Sequence, residues 1–99
     1  WTAANENIPV VYVICNNGSY RVLKINLDAY KSQILKEDKP QSRYLGMHFP
    51  IPLNLSDMAK AMGVHGQRIE DPTEIAAAMR QALELEKPAL LDISIDGTV

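Results

Sequence analysis

The residues of this 99-residue chain best suited to hold a ligand are Asn16, Asn17 and Gly18, which follow directly on the apolar run Ile8 to Cys15. Asparagine offers a neutral carboxamide oxygen, a good donor to a hard cation such as Mg2+. Gly18 lets the backbone approach a ligand closely, and a helix beginning just after it aims its first amides at the same place, which suits a phosphate. In an open parallel sheet, ligands bind beyond the carboxyl ends of strands, where this junction falls. The same three residues are ordinary turn chemistry, so the spacing alone leaves a binding loop and a plain turn both open.

The other polar residues carry weaker signals. His48 stands in a loop beside Phe49, a place where a histidine can serve as an acid–base group. His65 follows a helix stop and reads as solvated or capping. Neither has a cysteine partner at zinc spacing. Glu70, Asp71 and Glu74 cluster at a helix start, where capping and the helix dipole account for them. There is no Gly-rich phosphate loop, no dinucleotide fingerprint and no nucleophile elbow.

The elements that position these groups follow from periodicity. Residues 1–6 read as the last turns of a helix, with Asn7 as its cap and Pro9 barring continuation. Ile8 to Cys15 is short, continuous and rich in β-branched residues, the pattern of a strand buried on both faces. Tyr20, Leu23, Leu27, Tyr30 and Ile34 recur at spacings of three and four and predict an apolar helix face. Lys36 to Ser42, with Pro40, reads as a surface loop. Tyr44 to Leu53 reads as a loop that packs, because Tyr44, Leu45, Met47, Phe49 and Ile51 need cover. Asn54-Leu55-Ser56-Asp57 resembles a capping box opening a helix whose apolar face is Leu55, Met58, Ala59 and Met62, with Gly63 as its stop. Val64 to Ile69 is a strand candidate. Asp71-Pro72-Thr73-Glu74 opens a helix whose buried face is Ile75, Met79, Ala82 and Leu83. Pro88 ends it, and Ala89 to Ile95 forms the last strand. The order α-β-α-loop-α-β-α-β predicts an α/β fold with a mostly parallel sheet.

Bulk properties bound the rest. The chain is 46% hydrophobic and 22% charged, an ordinary globular composition of one domain at most. A formal net charge of −2 gives no general attraction to nucleic acid or to an anionic membrane. The longest apolar run falls far short of the roughly 20 residues that span a bilayer. The single cysteine, Cys15, cannot form an internal disulfide and reads as a small buried hydrophobe, with the reducing cytoplasm as its natural home. The opening Trp1-Thr2-Ala3-Ala4 lacks a lead-in and suggests a piece of something longer.

Three runs, Trp1-Thr2-Ala3-Ala4, Ile8-Pro9-Val10-Val11 and Asn16-Asn17-Gly18-Ser19-Tyr20, resemble the thiamine diphosphate enzymes of the pyruvate decarboxylase–acetolactate synthase superfamily. Leu55 to Val64 looks like the family's short helix ending in Gly-Val, and Pro88 to Ile95 like its last strand, so the resemblance covers nearly the whole chain. It implies a partial thiamine diphosphate-binding fold, with residues 1–99 as the C-terminal part of that domain. The family's metal–diphosphate motif begins with Gly-Asp-Gly and ends with Asn-Asn. The Gly-Asp-Gly half and the other domains would precede Trp1.

By position, the resemblance implies that Asn17 gives its side-chain oxygen to Mg2+ and Ser19 its backbone carbonyl. Gly18 and Tyr20 complete the cofactor-binding segment, Asn16 supports the turn, and Leu23 and Asn26 line the substrate pocket. No catalytic acid or base is assigned. The implied substrate is a 2-oxo acid and the implied assembly a homodimer or homotetramer. The stretch Asn16 to Leu27 looks closer to benzoylformate decarboxylase than to acetolactate synthase, which typically carries Gln-Trp where Ile25 and Asn26 stand. The decarboxylase tends to have an aromatic residue at the Asn26 position, a departure that counts against an aryl substrate. The expectation is a 2-oxo acid decarboxylase. The alternatives are an acetolactate synthase-type carboligase and a non-catalytic α/β interaction domain. The isolated chain, without the motif's aspartate and the family's activating glutamate, is expected to be inactive.

Overall fold

The opening helix ends before Pro9, with Glu6 as its cap, and the β-branched run after Pro9 builds a strand. In the computed structural model, which describes residues 1–37 and 44–98, α1 spans Thr2–Asn5 and β1 spans Val11–Asn16. Asn7 takes a left-handed φ of 52°, the conformation expected of a helix-terminating asparagine. Most of the expected Lys36–Ser42 loop, Pro40 included, lies outside the described residues. The chain divides into two compact units, one made of Trp1–Asn16 and Asn54–Ile95, the other of Asn17–Leu53 and Asp96–Val99.

The first unit holds the sheet. Besides α1 and β1 it contains α3 (Leu55–Ala61), β2 (His65–Ile69), a 3-10 turn (Pro72–Glu74), α4 (Ile75–Glu84) and β3 (Ala89–Ser94). Its three strands lie in the order β1-β3-β2 and all pairs are parallel, with Val11 and His65 both in register with Ala89. Parallel neighbours need long crossovers, which the intervening helices provide. β3 is central, and its Ala89 and Leu91 join Ile69, Ala78 and Ala82 in the core. Ile75, Met79, Val11 and Ile93 pack against that cluster. Full burial of Ile69 and Leu91 stabilises by about 1.5–3 kcal/mol each. Asp92, also on β3, is buried with neither carboxylate oxygen hydrogen-bonded among the described residues.

The helix starts obey their capping residues. The Asn54 side chain accepts the Asp57 amide at 3.0 Å, and Asp71 accepts the Thr73 amide at 2.8 Å with Pro72 just inside the turn. Gly63, at φ 76°, supplies the stop after α3.

Four burial expectations are corrected. Cys15 is exposed rather than buried, and Tyr12 and Val13 on the same strand are 43% and 41% exposed. The cause is that β1 is an edge of this sheet, with β3 as its single partner among the described residues. Leu83 is 61% exposed, because α4 lays Ala78 and Ala82 on the sheet and the next residue turns about 100° away.

The second unit is built on α2 (Arg21–Gln33), the segment from Tyr44 to Leu53 and the tail Asp96–Thr98. Here the third correction falls. Tyr20, Leu23, Tyr30 and Ile34 are exposed, while the residue α2 buries is Lys24. The 44–53 segment packs on the face carrying Lys24 and Asp28, an i,i+4 pair, rather than on the apolar stripe. Tyr44 donates its hydroxyl to Asp28 at 2.6 Å. Phe49 meets Tyr20 edge to face at 4.9 Å. Leu45 and Ile51, expected to need cover, are 71% and 82% exposed.

Candidate functional site

Asn17 to Tyr20 links the end of β1 to the start of α2. Gly18 takes φ 61°, a left-handed conformation that costs a residue with a Cβ about 1 kcal/mol or more. The turn is closed by the Asn17 carboxamide, whose Oδ1 accepts the Ser19 backbone N–H at 3.0 Å. This is an Asx turn, a hydrogen bond from an asparagine to its own backbone two residues on.

A short antiparallel bridge fixes the segment beyond. Phe49 donates its amide to the Gly18 carbonyl and Tyr20 donates its amide to the Met47 carbonyl, each at 3.0 Å. Ser19 and His48 stand opposite each other in that bridge. In such a pair the bonds run through the flanking residues, so the amide and carbonyl of Ser19 both turn away from His48. The amide meets Asn17 Oδ1 on that side, and the Ser19 carbonyl is directed to the same side.

The tail closes over this turn. A Cβ built on Gly97 would run into the Asn17 carbonyl oxygen and lie 3.2 Å from the Ser19 hydroxyl. Only a residue without a side chain allows that approach. Arg21 Nε donates to the Thr98 carbonyl at 2.8 Å, and Asp96 accepts both the amide and the hydroxyl of Thr98, at 2.9 and 2.7 Å. The Thr98 amide first, then its hydroxyl, hold the Asp96 carboxyl below the usual carboxylate range.

These parts line an open cavity of about 410 Å3, whose walls include Asn17, Gly18, Ser19, Lys24, His48 and Asp96. Lys24 is 1% exposed, and its Nζ lies 3.2 Å from His48 Nδ1. The Ser19 hydroxyl is buried with no hydrogen-bond partner among the described residues. Leu23 and Asn26 are both exposed on α2 and do not line this cavity. Tyr20 is half exposed against Phe49. Lys24, Tyr44 and the tail Asp96–Thr98 are the lining residues that sequence reasoning missed. The signal available for Lys24 was its i,i+4 spacing from Asp28 on the helix.

The residues fit a metal–diphosphate group as one half of a site. The Asn17 carboxamide oxygen has a second lone pair beyond the one on the Ser19 amide, and a carboxamide or carbonyl oxygen is a good donor to a hard cation. Among the described residues no group of three or more His, Cys, Asp or Glu is gathered to hold a metal. A cation here would depend on the diphosphate and on donors outside the described residues. No helix among the described residues is long and apolar enough to cross a membrane.

Residues 1–93 match the family model described as thiamine pyrophosphate enzyme, C-terminal TPP binding domain. A probable acetolactate synthase large subunit of Methanococcus aeolicus is 33% identical over 95 residues, which is 96% of this chain and 14% of that protein. The mitochondrial acetolactate synthase catalytic subunit of Aspergillus candidus is 32% identical over 98 residues, 99% of this chain and 13% of that protein. An acetolactate synthase large subunit of Mycobacterium tuberculosis is 28% identical over 99 residues, 99% of this chain and 16% of that protein. The chain spans less than a fifth of the length of the curated relatives it matches.

Proposed function

This chain belongs to the thiamine pyrophosphate enzyme family, as its C-terminal cofactor-binding domain, and on that premise we propose that it holds the Mg2+–diphosphate end of the cofactor in an acetolactate synthase-type carboligase. Bound thiamine diphosphate supplies the carbanion chemistry that breaks the bond beside a 2-oxo group. This chain's residues bind and orient.

Asn17 gives its side-chain oxygen to the cation and Ser19 its backbone carbonyl. Gly18 provides the left-handed turn that brings the two together, and Tyr20 fixes the turn to the 44–53 segment. The observation that carries the assignment is the Asx turn, which places Asn17 Oδ1 on the amide of Ser19 at 3.0 Å. Leu23 and Asn26, exposed on the first turns of α2, are left to face substrate in the complete enzyme. The reading includes a cytoplasmic homodimer or homotetramer.

The relatives described above support carboligation, since all three are named as acetolactate synthases. A second reading, a benzoylformate decarboxylase-like enzyme, rests on Ile25 and Asn26, which depart from the Gln-Trp expected of a synthase. Product analysis of the full-length enzyme with pyruvate separates the two. We expect a 2-hydroxy-2-alkyl acid. Free aldehyde as the main product would overturn the carboligase reading and favour the decarboxylase.

A further inference from the structure

Arg21 opens α2, directly after the turn given to the cation above, and its side chain reaches across to the tail. Its Nε donates to the Thr98 carbonyl at 2.8 Å, between residues 77 positions apart in sequence. The tail is shaped to present that carbonyl. Asp96 accepts both the amide and the hydroxyl of Thr98, which closes the three residues into a turn of their own. The Thr98 amide first, then its hydroxyl, hold the Asp96 carboxyl low, and the Arg21 charge adds to them. Arg21 therefore meets the tail both by a hydrogen bond and by charge. On its inner side the tail rests on the turn, where Gly97 lies against the Asn17 backbone carbonyl and the Ser19 hydroxyl. Neither is an oxygen given to the cation, so the tail backs the turn without occupying its donors. This cover has a cost. The Ser19 hydroxyl is buried with no hydrogen-bond partner among the described residues, and a desolvated, unpaired hydroxyl disfavours the seated tail. A tie from outside the contact, such as Arg21 provides, offsets that.

We propose that Arg21 is a positioning residue for the cofactor: by clasping Thr98 it holds the tail on the Asn17–Ser19 turn and keeps the oxygens of that turn in place for Mg2+. The inference rests on the cofactor reading above. Arg21 acts through the tail and touches neither the cation nor the diphosphate.

The test uses the full-length protein in two calorimetric titrations, thiamine diphosphate with Mg2+ present and Mg2+ with thiamine diphosphate present. Arg21 is exposed, so replacing it removes no core contact. Arg21→Met is expected to raise both apparent Kd values about fivefold, the loss of one hydrogen bond expressed in binding. Arg21→Lys is expected to stay within about twofold of wild type, because lysine keeps the charge and a donor for a single carbonyl. The Met change is then repeated in Gly97→Ala, whose tail cannot seat on the turn. There it is expected to add nothing, since the tie has no seated tail to hold. The same fivefold loss in both backgrounds would mean that Arg21 meets the diphosphate directly, and would overturn the proposal. Wild-type Kd values in Arg21→Met would overturn it as well, because the contact with Thr98 would then be without effect on the turn. Failure of the wild-type protein itself to bind thiamine diphosphate would instead remove the underlying cofactor reading.

Discussion

The side-chain oxygen of Asn17 accepts the backbone amide of Ser19 at 3.0 Å, and the tail residue Gly97 lies directly against that turn. Turn and tail are therefore one packed object. Gly97→Ala puts a methyl group into the Asn17 carbonyl and forces the turn to move. Overpacking of this kind costs about 1–3 kcal/mol, and the displaced Asn17 oxygen should weaken cofactor affinity about tenfold. Denaturant unfolding and cofactor titration of Gly97→Ala check both numbers. Wild-type values for both would mean the tail does not brace the turn.

Gly66 and Gly18 should respond to alanine for different reasons. At Gly66 a Cβ would collide with the Ser56 carbonyl at the start of α3. At Gly18 it meets open space, and only the positive φ is strained. Gly66→Ala is thus expected to cost about 2–3 kcal/mol and Gly18→Ala about 1 kcal/mol. The ordering is what matters, and equilibrium unfolding of the two variants side by side reads it. A reversed order would contradict the close approach of α3 to β2.

Asn54 caps α3 by accepting the Asp57 amide, and it also accepts the Ser56 hydroxyl at 3.0 Å. Asn54→Ala is expected to cost about 1 kcal/mol, while Asn54→Ser keeps a capping acceptor without setting a second carboxylate against Asp57 and is expected to lose less. Thermal unfolding compares the pair, and equal losses in both would argue against a capping role.

Acid should weaken the fold through three aspartates. Asp57 is held below its usual value first by its hydrogen bond to Lys60, Asp71 first by the Thr73 hydroxyl, and Asp96 first by the Thr98 amide. A carboxyl whose folded pKa lies below its unfolded one contributes stability that is fully present above the unfolded value, 3.8. That contribution is lost as pH falls through the lower, folded value. The melting temperature is therefore expected to be steady with respect to these groups above pH 5 and to drop below about pH 4. The expected drop shrinks in the Asp71→Asn variant. A full-sized drop in that variant would exclude Asp71 as a contributor.

Much of the fold was legible in the residues. Val11–Asn16 and Ala89–Ser94 form parallel strands because both runs are short, mostly apolar and separated by helix starts with their own caps. Asn7 and Gly63 end helices where their types predict. Burial was read less well. The stripe Tyr20-Leu23-Leu27-Tyr30 promised a buried face, and α2 buries Lys24 instead. Periodicity counts apolar residues on one helix and cannot see a loop that returns to a polar face, as Tyr44 and His48 do. Leu83 fails by one residue for a related reason, since alanines are small enough to bring α4 close to the sheet. In the candidate site, the Asn16-Asn17-Gly18 turn was visible from residue types. The tail was not, because Asp96, Gly97 and Thr98 carry no pattern of their own and gain meaning only where they lie against Asn17.

The most direct measurement is a calorimetric titration of the full-length protein with thiamine diphosphate, with and without Mg2+, repeated on Asn17→Ala. Wild-type protein is expected to bind the cofactor in a Mg2+-dependent manner, and Asn17→Ala to lose about 10–100-fold in affinity, as the removal of a metal-supporting group does. Mg2+-independent binding, or an Asn17→Ala variant that binds as wild type does, would contradict the clamp assigned to Asn17 and Ser19.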